Sequence, residues 1–164
     1  PGVANTLVAA SVDASCDESG CNLIRLLHDV LRSHEGVSRR DQRIAWDASS
    51  DQRVVSFLVA SLDQPIADVD VYSKALWLLS SFVKHSPEVA VRIANTPNVV
   101  PAAVALFVGG GRDSVKRQDS ARFMSVLAVH SAPAALQIAG ASEMLASLPR
   151  VLVTAPAIVK AAVG

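Results

Sequence analysis

Apolar residues recur at helical spacing along most of this chain, and the pattern is clearest between residues 71 and 82. There they fall at i, i+4, i+7, i+8 and i+11, which predicts one buried face of an α-helix formed by Val71, Ala75, Leu78, Leu79 and Phe82. Three further apolar residues, Leu76, Trp77 and Val83, lie outside that stripe. The pattern therefore predicts a long helix that other elements cover on more than one side.

Proline and glycine divide the following residues into shorter helices. Ser86-Pro87-Glu88 predicts a helix start, since serine caps, proline fits the first helical position and glutamate complements the positive helix end. Thr96-Pro97-Asn98 predicts a second break, after which Pro101 can occupy the first turn of a new helix. The run Gly109-Gly110-Gly111 predicts the end of that helix and a loop.

Helices are also predicted toward both ends of the chain. Residues 3–11 are predicted to form a helix, and 21–34 a long helix whose core face is Leu23, Leu27, Val30 and Leu31. A short helix at 37–46 and a hydrophilic loop at 46–51 come next, then a helix at 50–62 with a capping box of Ser49 and Gln52. Asp113 or Ser114 is predicted to cap a long helix ending near His130. Pro149 is expected to kink a later helix, and residues 155–164 to form a shortened one.

Parts of this pattern repeat at a fixed offset. The windows VVSFLVASL (54–62), VVPAAVALF (99–107) and MLASLPRVL (144–152) begin 45 residues apart, and their first, second, fifth and ninth positions are all apolar. A second repeated motif comprises Arg43-Ile44-Ala45, Arg92-Ile93-Ala94 and Gln137-Ile138-Ala139. A third matches Ala75, Trp77 and Leu78 with Ala121, Phe123 and Met124. Three sets of similar segments that recur in the same order about every 45 residues indicate a helical repeat.

These segments resemble the armadillo repeat family. KALWLLSSF is similar to the family's long third helix, VVPAAVALF to its second and SPEVAVRIA to its short first helix. The resemblance implies an all-α, right-handed α-solenoid of about three to four repeats in one domain. It divides the chain into a partial repeat 1–36, repeats 37–86 and 87–131, and a partial repeat 132–164, which predicts a piece of a longer solenoid.

Charge and cysteine content exclude several partners. Fifteen basic residues balance fifteen acidic ones, which gives no electrostatic basis for binding nucleic acid or an anionic membrane.

No segment is predicted to span a membrane, because the longest uncharged run, 93–111, contains prolines, asparagines and glycines. The N-terminus lacks the basic region of a signal peptide, and its first residue, Pro1, indicates a processed or excised piece. Two cysteines, Cys16 and Cys21, make no disulfide framework, so a reducing, cytoplasmic setting is expected.

No combination of residues predicts catalysis, a cofactor, a metal or a small-molecule substrate. His34, His85 and His130 each fall near the end of a predicted long helix, where a histidine suits the helix dipole better than a shared metal site. His28 and Asp29 are adjacent on a helix and are expected to face different ways. The glycines before Arg112 lack the Gly-Lys-Ser/Thr of a phosphate loop. The chain is therefore predicted not to be an enzyme.

The predicted function is binding of another protein or peptide, as a scaffold or adaptor. In armadillo proteins the third helices line a concave surface, which here implies the partner-binding residues Ser73, Trp77, Ser81, Lys84, Asp119, Phe123, Leu127 and His130. Trp77 matches the family's tryptophan, whereas the family's asparagine position holds Ser81 and, in the next copy, Leu127. Two alternatives stay open. One is a nucleotide-exchange regulator of a heat-shock chaperone, and the other is a purely structural solenoid segment.

Overall fold

A computed structural model describes residues 18–32, 52–62, 69–85, 87–109 and 114–147, and these residues are helical apart from short turns. The helices are α1 (Glu18–Arg32), α2 (Gln52–Leu62), α3 (Val69–His85), α4 (Pro87–Asn95), α5 (Val99–Gly109), α6 (Ser114–His130), α7 (Ala132–Ala139) and α8 (142–147). The prediction of an all-α protein is confirmed for this part of the chain.

The apolar stripe of α3 forms the centre of the core. All five of its residues are buried, and so are Leu76 and Val83 on the adjoining surface of the helix. Only Trp77 among the apolar residues between positions 75 and 83 keeps part of its surface exposed. The prediction of a helix covered on more than one side is confirmed, because α1, α2, α4 and α6 all pack against α3.

Helices α4 and α5 begin at or beside the proline and asparagine residues that predicted their starts. Pro87 is the first residue of α4, with Glu88 in the first turn, and Pro101 lies in the first turn of α5. Asn98 adopts a left-handed conformation with φ of 65°, which asparagine tolerates better than most residues. Its carbonyl accepts a hydrogen bond from the Ala102 amide at 2.8 Å, so the residue that turns the chain also begins α5.

Helix α1 differs from its prediction in start and in core face. It begins at Glu18, and the buried face comprises Gly20, Cys21, Ile24, Leu27, His28 and Leu31. Leu23 and Val30 are only partly buried, so the core face is rotated from the predicted one. The reason is packing, because a helix with apolar residues on several sides turns toward whichever neighbours cover it. Cys21 is a free, buried thiol in the first turn of α1.

The long helices α1, α3 and α6 pack in that order, with α3 between the other two. Three hydrogen-bonded pairs of side chains join residues about one repeat length apart. Arg25 contacts Asp70, Gln52 contacts Thr96 and Ser73 contacts Asp119, at sequence separations of 45, 44 and 46 residues. These separations match the 45-residue offset between the repeated windows, so residues at corresponding positions of the sequence pattern meet in space.

The repeated windows are buried as the pattern predicts in their first two copies. Their four shared apolar positions are all buried there, namely Val54, Val55, Leu58 and Leu62 and then Val99, Val100, Ala103 and Phe107. In the third copy Met144 is partly buried, whereas Leu145 is 52% exposed. The later residues of that window lie outside the described residues.

Several other predictions also fall outside the described residues. They are the helices at 3–11, 37–46 and 155–164, the cap at Ser49, the serine at 86, the glycines at 110 and 111, His34, and the kink at Pro149. Gln52, the described half of the predicted capping box, donates its side-chain amide to the hydroxyl of Thr96 at 3.1 Å. Its amide therefore ties α2 to the turn between α4 and α5.

No single described helix is long and apolar enough to cross a membrane. The pair α4 and α5, bent by 76° at the turn between them, meets that requirement of length and composition only when the two are taken together.

Candidate functional site

The facing surfaces of α3 and α6 are joined by polar contacts near their N-terminal ends. The ammonium group of Lys116 lies 4.5 Å from the centre of the Tyr72 ring, which is a cation–π contact. One residue later, the hydroxyl of Ser73 donates a 2.5 Å hydrogen bond to a carboxylate oxygen of Asp119. These two contacts join α3 and α6 at this end of their interface.

Beyond the Ser73–Asp119 hydrogen bond the two helices leave a small cleft. It has a volume of about 50 Å³ and is lined by Leu76, Trp77, Ser80, Ser81, Lys84, Asp119 and Arg122. We call it the α3–α6 cleft. Four of its seven lining residues, Trp77, Ser81, Lys84 and Asp119, are among the eight predicted partner-binding residues, and Ser73 closes one end through its contact with Asp119.

Three of the four predicted partner-binding residues on α6 do not line this cleft. Phe123 and Leu127 have no exposed surface, and His130 is exposed at the last residue of the helix but is not among the lining residues. Phe123 and Leu127, which were predicted to bind the partner, are therefore core residues, and that part of the prediction is corrected. Helix α6 is covered by α3, α5 and α7, so the large apolar residues on it turn inward into the core.

Three lining residues were not predicted from the sequence. Leu76 and Ser80 lie one residue before Trp77 and Ser81, and both are almost fully buried at the floor of the cleft. The hydroxyl of Ser80 donates to the Leu76 carbonyl at 2.7 Å, which satisfies it within its own helix. Arg122 lies one helical turn after Asp119, a spacing at which two residues share a face, and that spacing was the signal that could have identified it.

Trp77 contacts α1 as well as lining the cleft. The ring of His28, which is buried, meets the indole edge-on with ring centroids 4.8 Å apart. The Nδ1 atom of His28 lies 2.8 Å from a carboxylate oxygen of Asp29. An ionised carboxylate only accepts, so Nδ1 is the donor. His28 is buried and Asp29 is exposed, as expected for neighbours that face different ways on a helix, yet this hydrogen bond still joins the two side chains.

A chain of ion pairs continues from Asp29 across the α1–α3 interface. Lys74 lies 3.7 Å from Asp29 and 3.4 Å from Asp70, and Asp70 in turn lies 3.3 Å from Arg25. The hydrogen bond from His28 is the main reason that the pKa of the Asp29 carboxyl is lowered. Burial has the second-largest effect and opposes this shift, and the charge of Lys74 lowers the pKa further. The charged residues on this side of Trp77 are therefore already engaged with one another.

The chemistry available at the cleft is that of binding. Its lining offers an indole ring, two exposed cations, one carboxylate and the hydroxyl of Ser81, which makes no hydrogen bond within the described residues. Across the described part of the chain, no group of three or more His, Cys, Asp or Glu residues is arranged to hold a metal ion. A cleft of this composition suits side chains and backbone groups of another polypeptide.

A larger depression, of about 630 Å³, lies between α5 and the segment that joins α7 to α8. Its described lining is Val100, Pro101, Val104, Gln137, Gly140, Ala141, Ser142 and Glu143. It contains one ionisable side chain and no aromatic ring among these residues. Because aromatic and arginine side chains supply most of the binding energy at protein interfaces, the smaller α3–α6 cleft is the stronger candidate.

Comparison of the chain with protein-family models, with curated proteins and with solved structures finds no match.

Proposed function

We propose that this chain is an armadillo-like, right-handed α-solenoid whose function is to bind another polypeptide through the α3–α6 cleft. The repeat architecture is supported by two independent measurements that agree. The apolar windows recur every 45 residues in the sequence, and side-chain contacts join residues separated by 44 to 46 positions. In a solenoid, each unit contacts its neighbours through equivalent positions, which produces this agreement.

The observation that carries the binding function is the composition of the cleft. Trp77 is partly exposed beyond the hydrogen-bonded end of the α3–α6 interface, and the exposed cations Lys84 and Arg122 line the same cleft. An aromatic ring with a polar edge, surrounded by charged residues, is the usual arrangement at the energetic centre of a protein interface. A structural interface needs no such arrangement, because apolar residues alone would bury more surface there.

The partner is best bound as an extended segment. A cleft of about 50 Å³ admits one or two side chains at a time, and not a folded domain. Serine and leucine occupy the positions where armadillo proteins carry the asparagines that hold a peptide backbone, namely Ser81 and Leu127. Recognition in this chain therefore depends on the partner's side chains more than on its backbone.

A display selection tests this function. A library of random twelve-residue peptides is selected on the full chain, and the affinity of enriched peptides is measured by fluorescence anisotropy. Ser81→Phe places a ring in the cleft without removing a contact, so we expect it to abolish binding while the melting temperature stays within a few degrees. Ser125→Phe adds the same ring to an exposed position of α6 outside the cleft, and it should leave binding unchanged.

The outcomes separate the remaining functions. Peptides that bind Ser81→Phe as tightly as the original chain would place the binding surface elsewhere. If no peptide is enriched, the cleft is not a peptide site and a structural role in a longer solenoid replaces the proposal. A chaperone regulator would instead accelerate nucleotide release from a heat-shock chaperone, which a release assay with the same protein measures directly.

A further inference from the structure

Lys84 and Arg122 differ from three other cations on the long helices. Arg25 and Lys74 are paired with carboxylates, and Lys116 lies over the Tyr72 ring. Within the part of the chain that the structure describes, neither Lys84 nor Arg122 forms an ion pair, a side-chain hydrogen bond or a ring contact. Both are exposed, and both line the α3–α6 cleft, so two positive charges at this site remain to be neutralised.

The carboxylate in the cleft does not neutralise them. Asp119 lies at the N-terminal end, where it accepts the hydrogen bond from Ser73. Lys84 is eleven residues beyond Ser73 on α3, which at the rise of an α-helix is about 16 Å along the axis. Arg122 lies three residues beyond Asp119, or about 4.5 Å. Arg122 therefore lies within one helical turn of Asp119, whereas Lys84 lies farther along, where the described lining has no carboxylate.

The spacing of the two cations sets a distance for their ligand. Counted from the Ser73–Asp119 contact, the backbone positions of Arg122 and Lys84 along their own helices differ by about 12 Å. An extended polypeptide covers this distance in about four residues, at about 3.3 Å per residue. Trp77 lies at a level between the two cations, four residues beyond Ser73 on the same helix.

Taking the proposed function as its basis, we infer that the partner of the α3–α6 cleft is an acidic peptide segment. It carries two carboxylate side chains about four residues apart, which bind the exposed cations Arg122 and Lys84 at the rim of the cleft, and the apolar side chain between them enters the cleft beside Trp77. The planar guanidinium of Arg122 can hold one carboxylate through two parallel hydrogen bonds, whereas the ammonium of Lys84 acts as a point charge. Near Asp119 the segment presents a hydrogen-bond donor, since a third carboxylate would be repelled there.

Three peptide libraries of equal length test this inference. Each is random except for two fixed residues four positions apart, which are Glu and Glu, Gln and Gln, or Lys and Lys. We expect selection on the full chain to yield binders chiefly from the Glu library, with affinity that falls as salt is raised. Lys84→Gln and Arg122→Gln should each weaken those binders about three- to tenfold. Arg92→Gln removes an exposed cation of α4 and serves as the matched control, with no expected effect.

Charge reversal provides the second measurement. The double variant Lys84→Glu with Arg122→Glu should shift enrichment from the Glu library to the Lys library. Equal enrichment of the Gln or Lys library by the original chain, with binding still abolished by Ser81→Phe, would overturn the acidic partner and leave the proposed function intact. If no library gives binders sensitive to Ser81→Phe, the proposed function itself fails. Binding of a single-stranded oligonucleotide that depends on both cations and exceeds peptide affinity would also overturn the inference.

Discussion

The imidazole ring of His28 on α1 packs edge-on against the indole ring of Trp77 on α3, with their planes at 70°. His28 is only 5% exposed, so this contact belongs to the α1–α3 interface, whereas Trp77 also forms a wall of the α3–α6 cleft. One aromatic residue therefore joins the packing of two neighbouring long helices. The position of the Trp77 indole in the cleft therefore depends on its contact with His28 of α1.

Replacement of His28 should consequently lower stability and disturb Trp77. We expect His28→Ala to lower the free energy of unfolding by about 1–3 kcal/mol, because it leaves a cavity and removes the donor to Asp29. Arg32→Ala, an exposed position on the same helix, is the control and should change it by less than about 0.5 kcal/mol. Urea unfolding measures both. Tryptophan emission in a Trp46→Phe background should move to longer wavelength in His28→Ala, and an unchanged spectrum would contradict the supporting role.

The lowered pKa of Asp29 predicts a dependence of stability on pH. Because its folded pKa lies below the ordinary value of 3.8, the ionised carboxylate stabilises the fold above that pH. This contribution is lost as the pH falls through the folded pKa. The difference in unfolding free energy between the original chain and Asp29→Asn should therefore shrink below about pH 4.

The same experiment identifies the source of that dependence. The hydrogen bond from His28 is the largest cause of the lowered pKa, so the Asp29→Asn difference should vary less with pH in a His28→Ala background. Urea unfolding from pH 2.5 to 7, at intervals of about half a unit, measures the four proteins of this cycle. An identical pH dependence in both backgrounds would show that His28 does not set the pKa of Asp29.

Phe123 tests which residues of α6 belong to the core. Since its ring has no exposed surface, Phe123→Ala should cost about 3–5 kcal/mol of unfolding free energy. Val129 lies on the same helix but is 79% exposed, and Val129→Ala should cost less than about 0.5 kcal/mol. Thermal unfolding followed by circular dichroism distinguishes them. Similar melting temperatures for the two variants would mean that α6 presents a different face to the core.

Asn98 tests the turn between α4 and α5. Its φ of 65° lies in the left-handed region, where a β-branched side chain is strained and glycine is not. Asn98→Val should therefore lower the free energy of unfolding by about 1–2 kcal/mol, whereas Asn98→Gly should be nearly neutral. The same urea titration compares them. Equal stability of the two variants would contradict the left-handed conformation at this residue.

The positions of helices were largely predictable because they depend on local pattern. The stripe from Val71 to Phe82 predicted α3, and all five of its residues are buried. Pro87 and Pro101 lie in the first turns of α4 and α5 as expected, because a residue without an amide hydrogen is tolerated there and not farther along. Such effects act within one or two turns of a helix, so neighbouring residues are sufficient to reveal them.

The exposed or buried state of a given apolar residue was less predictable. Trp77 and Phe123 occupy matched positions in two long helices, yet one lines the cleft and the other has no exposed surface. In α1 the core face includes Ile24 and His28 in place of Leu23 and Val30. Periodicity shows that a helix has an apolar side, but the elements packed around that helix decide which side becomes the interior.

The amino-acid sequence by itself determined the helical class, the main helix boundaries and the 45-residue offset, because each follows from the order of apolar, turn and capping residues. The tertiary structure alone decided that Ser73 meets Asp119, that His28 supports Trp77, and that Arg122 joins Lys84 at one cleft. These contacts join different helices and so depend on the angle and rotation at which the helices pack. That geometry arises from the fit of many side chains at once, which no local pattern specifies.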